Sequence, residues 1–300
     1  MTPRFIATGS AKGTARETID LPVGRYAALL LILKGTTDTG QTLALSEIGR
    51  IRIQRGGREI QNEDWEFYHE YSDLKTGWPN STLPTAGATR VAILVPFAAA
   101  GLPNSLDVMS KEEVDLFLDF ESGLDTEFGS NACTYEVYGI HAPTQPEVYE
   151  LHVEQQDQAA TAAGRVIDKL SGRNIAALYL KDGGSVVTSL TVQVDDKVIV
   201  NEIDDDTLLD LTNMVNKKEA TGNTLIELSN VVTGKLQEIA NTKVEIDTTF
   251  SGSGTLEITK FRAEPSERAA QSAENVKAIL AAKTTNVSRS IPRRPAGAVA

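Results

Sequence analysis

Four short stretches of this chain occur twice, in the same order, about 140 residues apart. Gly24-Arg25 followed by Ala27-Ala28-Leu29 returns as Gly172-Arg173 followed by Ala176-Ala177-Leu178. Ile51 to Gln54, a two-glycine turn and Ile60 to Glu63 return as Leu190 to Gln193, Asp195-Asp196 and Ile199 to Glu202. Thr76-Gly77 returns as Thr221-Gly222, and Val114-Asp115-Leu116 ending in Phe120 returns as Val244-Glu245-Ile246 ending in Phe250. The offsets of 148, 139, 145 and 130 residues are unequal, as two copies with conserved strand order and different loop lengths require. Such a period is too long for one solenoid unit or propeller blade and fits a duplicated domain.

The repeated stretches are strand-like. In Val114 to Phe120 the apolar Val114, Leu116, Leu118 and Phe120 alternate with Asp115, Phe117 and Asp119, the period of a half-buried strand. Further short strands are expected at 27–33, 58–61, 90–97, 134–140, 178–180, 197–200 and 255–261, separated by Gly, Asp and Ser turns. The expected fold class is all-β: two tandem eight-stranded jelly-roll β-barrels, an architecture that limits free sheet edges. A short helical and flexible C-terminal tail follows. The expected divisions are a basic N-terminal arm at 1–16, barrels at 17–145 and 146–263, and a basic helix and tail at 264–300. Pro143 and Pro146 mark the junction, Pro265-Ser266 opens the helix, and Pro292 to Pro295 lies in the tail.

Charge is unevenly spread. The net charge is -12, yet residues 264–300 carry six basic side chains against three acidic ones, which leaves -15 on the rest. Arg4, Lys12 and Arg16 precede the first acidic residue, Glu17. An acidic body disfavours broad nucleic-acid contact, whereas basic ends suit anionic partners. No apolar run approaches the roughly 20 residues of a membrane-spanning helix, and no secretory leader is expected. Cys133 is the only cysteine, which leaves no intrachain disulfide and no thiolate metal cluster.

Residues for chemistry are sparse. His69, His141 and His152 have no metal-binding spacing, and neither a nucleophile elbow nor a phosphate loop occurs. Asp195, Asp196, Asp204 and Asp206 are weak candidates for a structural calcium ion, set against plainer roles in a turn and at a helix start. Trp65, Phe67, Tyr68, Tyr71 and Trp78 form an aromatic cluster, read as a packed loop or subunit contact ahead of a sugar-stacking surface. No enzymatic role, organic cofactor or small-molecule substrate is expected.

Two consecutive jelly rolls, with Ile51 to Gln54 turning at Gly56-Gly57 into Arg58 to Asn62 and then an aromatic excursion, resemble the double jelly-roll major capsid proteins of membrane-containing icosahedral viruses. The compact type of corticovirus-like phages, in the corticovirus and tectivirus lineage, is most similar. The resemblance covers roughly residues 5 to 262 and rests on architecture, repeat and length. It implies a homotrimer of nearly sixfold outline that tiles an icosahedral shell with neighbouring capsomers and other capsid proteins, assembled in the host cytoplasm and located in the virion. It also implies termini near an internal membrane. Arg4, Lys12, Arg16, Lys283, Arg289, Arg293 and Arg294 would then face lipid head groups or the genome. A carbohydrate- or receptor-binding β-sandwich, such as a phage spike module using the Trp65 to Trp78 region, is the alternative.

Overall fold

The computed structural model describes residues 3–13, 16–76, 81–97, 104–109, 113–142, 149–182, 186–203, 223–228 and 243–266. Nine strands fill its first half: β1 (Pro3–Ser10), β2 (Arg16–Asp20), β3 (Gly24–Thr37), β4 (Gly49–Arg55), β5 (Arg58–Asp64), β6 (Gly87–Pro96), β7 (Leu106–Val108), β8 (Val114–Phe120) and β9 (Cys133–His141). Two helices join them, α1 (Trp65–Thr76) and α2 (Gly123–Phe128). Nine more strands follow: β10 (Tyr149–Gln155), β11 (Gln158–Ala160), β12 (Gly164–Leu170), β13 (Ile175–Asp182), β14 (Val187–Val194), β15 (Lys197–Ile203), β16 (Asn223–Glu227), β17 (Val244–Phe250) and β18 (Gly254–Pro265).

With the short β7 and β11 set aside, the two halves have one topology. In the first, β1-β9-β3-β6 forms one sheet and β2-β8-β4-β5 the other; in the second, β10-β18-β13-β16 and β12-β17-β14-β15 repeat that order strand for strand. Each half is therefore a jelly roll of eight strands, paired first-eighth-third-sixth and second-seventh-fourth-fifth. Three of the four sequence repeats fall on equivalent elements: β3 with β13, the β4–β5 hairpin with β14–β15, and β8 with β17. Gly77, Thr221 and Gly222 of the fourth lie outside the described residues. The hairpin turns also match. Gly56 and Gly57 have φ of 56° and 79°, and Asp195 and Asp196 have φ of 47° and 65°, the left-handed pair that a two-residue hairpin turn demands.

The two barrels share a sheet. β5 of the first runs parallel to β10 of the second, with Gln61 opposite Val153, which fuses two four-stranded sheets and β11 into one of nine strands. One core lies inside the first barrel, around Leu29, Leu31, Ile51, Ile53, Val91, Leu116 and Val137, and extends across the junction to Ala177, Tyr179, Phe261 and Ala263. The other lies inside the second barrel around Leu178, Leu180, Val192, Ile246 and Ile258. β13 feeds both, since its alternate residues face opposite ways and both faces are covered.

Two expectations require correction. Within the stretch 1–16 expected as an arm, Pro3–Ser10 is instead an edge strand paired antiparallel with β9, from Pro3 opposite Ile140 to Ser10 opposite Thr134, with a register shift between Phe5 and Ala7. Mostly exposed side chains hid it, because an edge strand lacks strong alternation. From Trp65 to Thr76 the aromatic excursion is not a loop but α1. Asp64 caps it, its Oδ1 accepting the Phe67 N–H at 2.7 Å, and Trp65, Tyr68, Tyr71 and Leu74 recur at helical spacing. The helix expected after Pro265 lies outside the described residues.

Candidate functional site

At the junction between the barrels, α1 is tied to β6, with Ser72 Oγ accepting the Leu94 N–H at 2.9 Å, and carries aromatic rings onto strands of the shared sheet. Phe67 sends its ring edge-on to Tyr179 of β13 at 5.3 Å and contacts Phe261 of β18 at 6.0 Å, while Tyr71 lies 5.0 Å from Phe261. Trp65 and Tyr68 are fully buried, and the Tyr68 hydroxyl donates to Gln61 Oε1 at 3.0 Å. Gln61 Nε2 in turn donates to the Pro96 carbonyl. Phe67 and Tyr71 are thus anchors, but within one chain, between its own barrels, while Trp65 and Tyr68 are buried in the core beside them. Residues so buried offer no sugar-stacking surface; Trp78 lies outside the described residues.

Polar links flank these rings. The Tyr179 hydroxyl donates to Glu70 at 3.0 Å, and Lys181 Nζ stands 3.1 Å from Glu70 and 3.5 Å from Glu66. Toward the other end, Arg55 pairs with Glu150 at 3.1 Å, Glu150 with His152 at 2.9 Å and Arg58 with Glu264 at 2.5 Å. His152 is buried in this network, and His141 stacks on Tyr26. Both are accounted for by packing. Lys260 is 1% exposed and donates to Gln156 and Ser171; burial, despite nearby Glu154, holds its pKa below the usual lysine value.

Between α1 and the strands β5, β10, β13 and β18 lies a cavity of about 30 Å³, lined by Glu63, Asp64, Glu66, Glu70, Gln155, Tyr179, Lys181 and Glu257 among others. Glu63 is 2% exposed and its Oε1 has no hydrogen-bond partner. Burial above all, then the charge of Asp64 and, against the pull of Arg50, those of Asp157 and Glu257, push its carboxyl up to about 8. Among the described residues no three Asp, Glu, His or Cys side chains stand close enough together to hold a metal ion. Asp195 Oδ1 accepts the Lys243 N–H and Asp196 pairs with Lys243 Nζ at 3.0 Å, which fits the plainer role in a turn. Asp204 and Asp206 lie outside the described residues.

The outer faces are unlike one another. On the sheet β1-β9-β3-β6, Leu30, Ile32 and Ala92 point away from the barrel core and cluster with Leu94, Tyr138 and Ile140. Phe5, 53% exposed, packs edge-on against Tyr138. At the end of this barrel where β3 begins and β9 finishes, a groove of about 430 Å³ is lined by Val23, Gly24, Arg25, Asp107, Val108, Met109, His141 and Ala142, with Val23 and Met109 half exposed. Both described chain ends lie at this end. Pro3 sits opposite Ile140, and Pro265 opposite Tyr149, where β10 begins beside β5.

The basic residues expected to act together are separated. Arg4 lies at the groove end, but β1 carries the chain about 20 Å away before Lys12 and Arg16. Lys12 donates to the Gly129 and Asn131 carbonyls, and Arg16 pairs with Asp119 at 2.5 Å. Lys283, Arg289, Arg293 and Arg294 lie outside the described residues. The outward apolar face escaped the sequence reading although its signal was present: Ala27 to Leu33 is apolar without alternation, as in a strand covered on both sides. Glu63 gave no signal, because its polarity matches that of an exposed strand position.

No family model matches the chain, and no curated protein sequence matches it. Solved structures do. The major capsid protein P2 from bacteriophage PM2 superposes with a TM-score of 0.59 at 12% identity, over 88% of this chain and 97% of that one. A chain from the atomic structure of Sulfolobus Turreted Icosahedral Virus gives 0.63 at 9% identity, over 96% and 98%. The PBCV-1 virus capsid gives 0.60 at 11% identity, over 87% and 92%. At such identities the likeness is one of fold, and the chain has the double jelly-roll fold that its own strand order displays.

Proposed function

We propose that this chain is a major capsid protein, assembling as trimeric capsomers into an icosahedral shell over an internal membrane. The observation that carries the reading is which sheet of each barrel is used within the chain and which is left over. Within the chain, the second-seventh-fourth-fifth sheet of the first barrel joins the first-eighth-third-sixth sheet of the second. One sheet of each kind is left over, and on the first barrel the side of that sheet away from the core is apolar: Leu94, Tyr138 and Ile140 are half-buried around the buried Leu30, and Phe5 beside Tyr138 is 53% exposed. A second copy can meet it with the remaining sheet of its own second barrel, where Ile167, Val198 and Ile199 are about half exposed. In the proposed capsomer three chains repeat this sense of junction between copies, so that six barrels form one ring. Capsid proteins of the same fold make this a natural use for it, and the reading assigns the chain no substrate.

The groove beside Val23 and Met109 supports placing that end toward lipid, because both described chain ends lie there and the basic residues from Lys283 to Arg294 follow in sequence. The virion is then its location. Leu94→Lys, on the outer face, tests the reading. The single chain should keep its fold and circular dichroism while the trimer is lost. A variant as oligomeric as the parent would refute the assignment of this face.

A further inference from the structure

We propose that Glu63 lets the junction between the barrels close only while its carboxyl carries a proton, so that the seam is a proton-dependent latch. The cavity beside Glu63 takes walls from both barrels: Asp64, Glu66 and Glu70 from the first, Gln155, Tyr179, Lys181 and Glu257 from the second. Among the described residues, the charged groups around the carboxyl come from both barrels. Arg50 of β4 attracts it; Asp64 of β5, Asp157 beyond β10 and Glu257 of β18 repel it, and α1 adds Glu66, Glu70 and the neutral Tyr68 hydroxyl. Lys181, the cation on the cavity wall, is already held by Glu66 and Glu70. An ionised Glu63 would therefore sit almost dry, with an unpartnered oxygen, among like charges on both sides of the seam.

The direction follows from linkage. A carboxyl whose proton is held more tightly in the fold than in the open chain adds stability fully at pH below its ordinary range. That stability is lost as pH rises toward the folded value of about 8. The latch is set in the isolated chain and does not depend on any role in a shell.

Thermal unfolding of the full chain should be followed between about pH 6 and about pH 9, with hydrogen exchange of the seam strands β10, β13 and β18 set against β12, β14 and β17. The parent midpoint should fall by at least about 5 °C across this range. Glu63→Gln, which keeps shape without charge, should flatten the profile and slow exchange at the seam alone when compared with the parent at the same alkaline pH. Equal slopes in parent and variant, or a flattened slope with seam exchange unchanged, would overturn the latch. Should Glu63→Gln fail to fold, Glu257→Gln removes one repelling charge and should move the parent's midpoint of pH dependence downward. An unmoved midpoint is equally fatal.

Discussion

Replacing Phe261 by Ala should loosen the joint between the barrels more than it harms either barrel. Phe261 is 1% exposed, and its ring meets Phe67 at 6.0 Å and Tyr71 at 5.0 Å, both on α1 of the other barrel. Removing a buried phenyl ring costs about 3–5 kcal/mol in lost transfer energy and residual cavity. For a chain of this size that lowers the unfolding midpoint by roughly 6–20 °C. The second-barrel core around Leu178, Val192 and Ile246 does not include Phe261, so that barrel should keep much of its own stability. Differential scanning calorimetry should show one transition in the parent and two partly resolved ones in the variant. Phe5→Ala is the control, because Phe5 is 53% exposed and its loss should cost within about 0.5 kcal/mol in the unassembled chain. A loss below about 1 kcal/mol for Phe261→Ala, or an undivided transition at a lower temperature, would show that α1 does not govern the joint.

Two further outcomes follow from close packing. Cys133 is fully buried and burial pushes its thiol up to about 12, so Ellman's reagent should leave it untouched in the native chain and react once denaturant is added. Rapid native labelling would contradict the placement of β9. Gly49 has φ of 119° and a Cβ there would stand 2.0 Å from the Asp119 carbonyl oxygen, so Gly49→Ala should destabilise by more than about 2 kcal/mol in urea titration. Gly57→Asn, in an open turn with φ of 79°, should be nearly silent and serves as the comparison.

Much of the fold was legible because strand order was written twice. Val114 to Phe120 and Val244 to Phe250 announced equivalent strands by alternation alone, and the matched hairpins at Gly56-Gly57 and Asp195-Asp196 fixed their neighbours. β1 was not legible, since Phe5 and Thr8 lie on an edge where little is buried. α1 was missed because five aromatic positions between Trp65 and Trp78 suggest a strand or loop by propensity, while the Asp64 cap and the spacing decide for a helix. The basic ends were legible as charge but not as place: pairing with β9 puts Arg4 at one end of the barrel and Lys12 at the other. Burial of Glu63 depends on a neighbouring barrel that meets it from far along the chain, which no local pattern records.

The solution mass of the purified chain, by light scattering coupled to size exclusion, tests the central claim most directly. A chain of 32.3 kDa that forms capsomers should elute as a single species of three times that mass at physiological salt, independent of concentration. A species that stays monomeric on concentration would contradict the claim that the outward faces of the two barrels are made for each other.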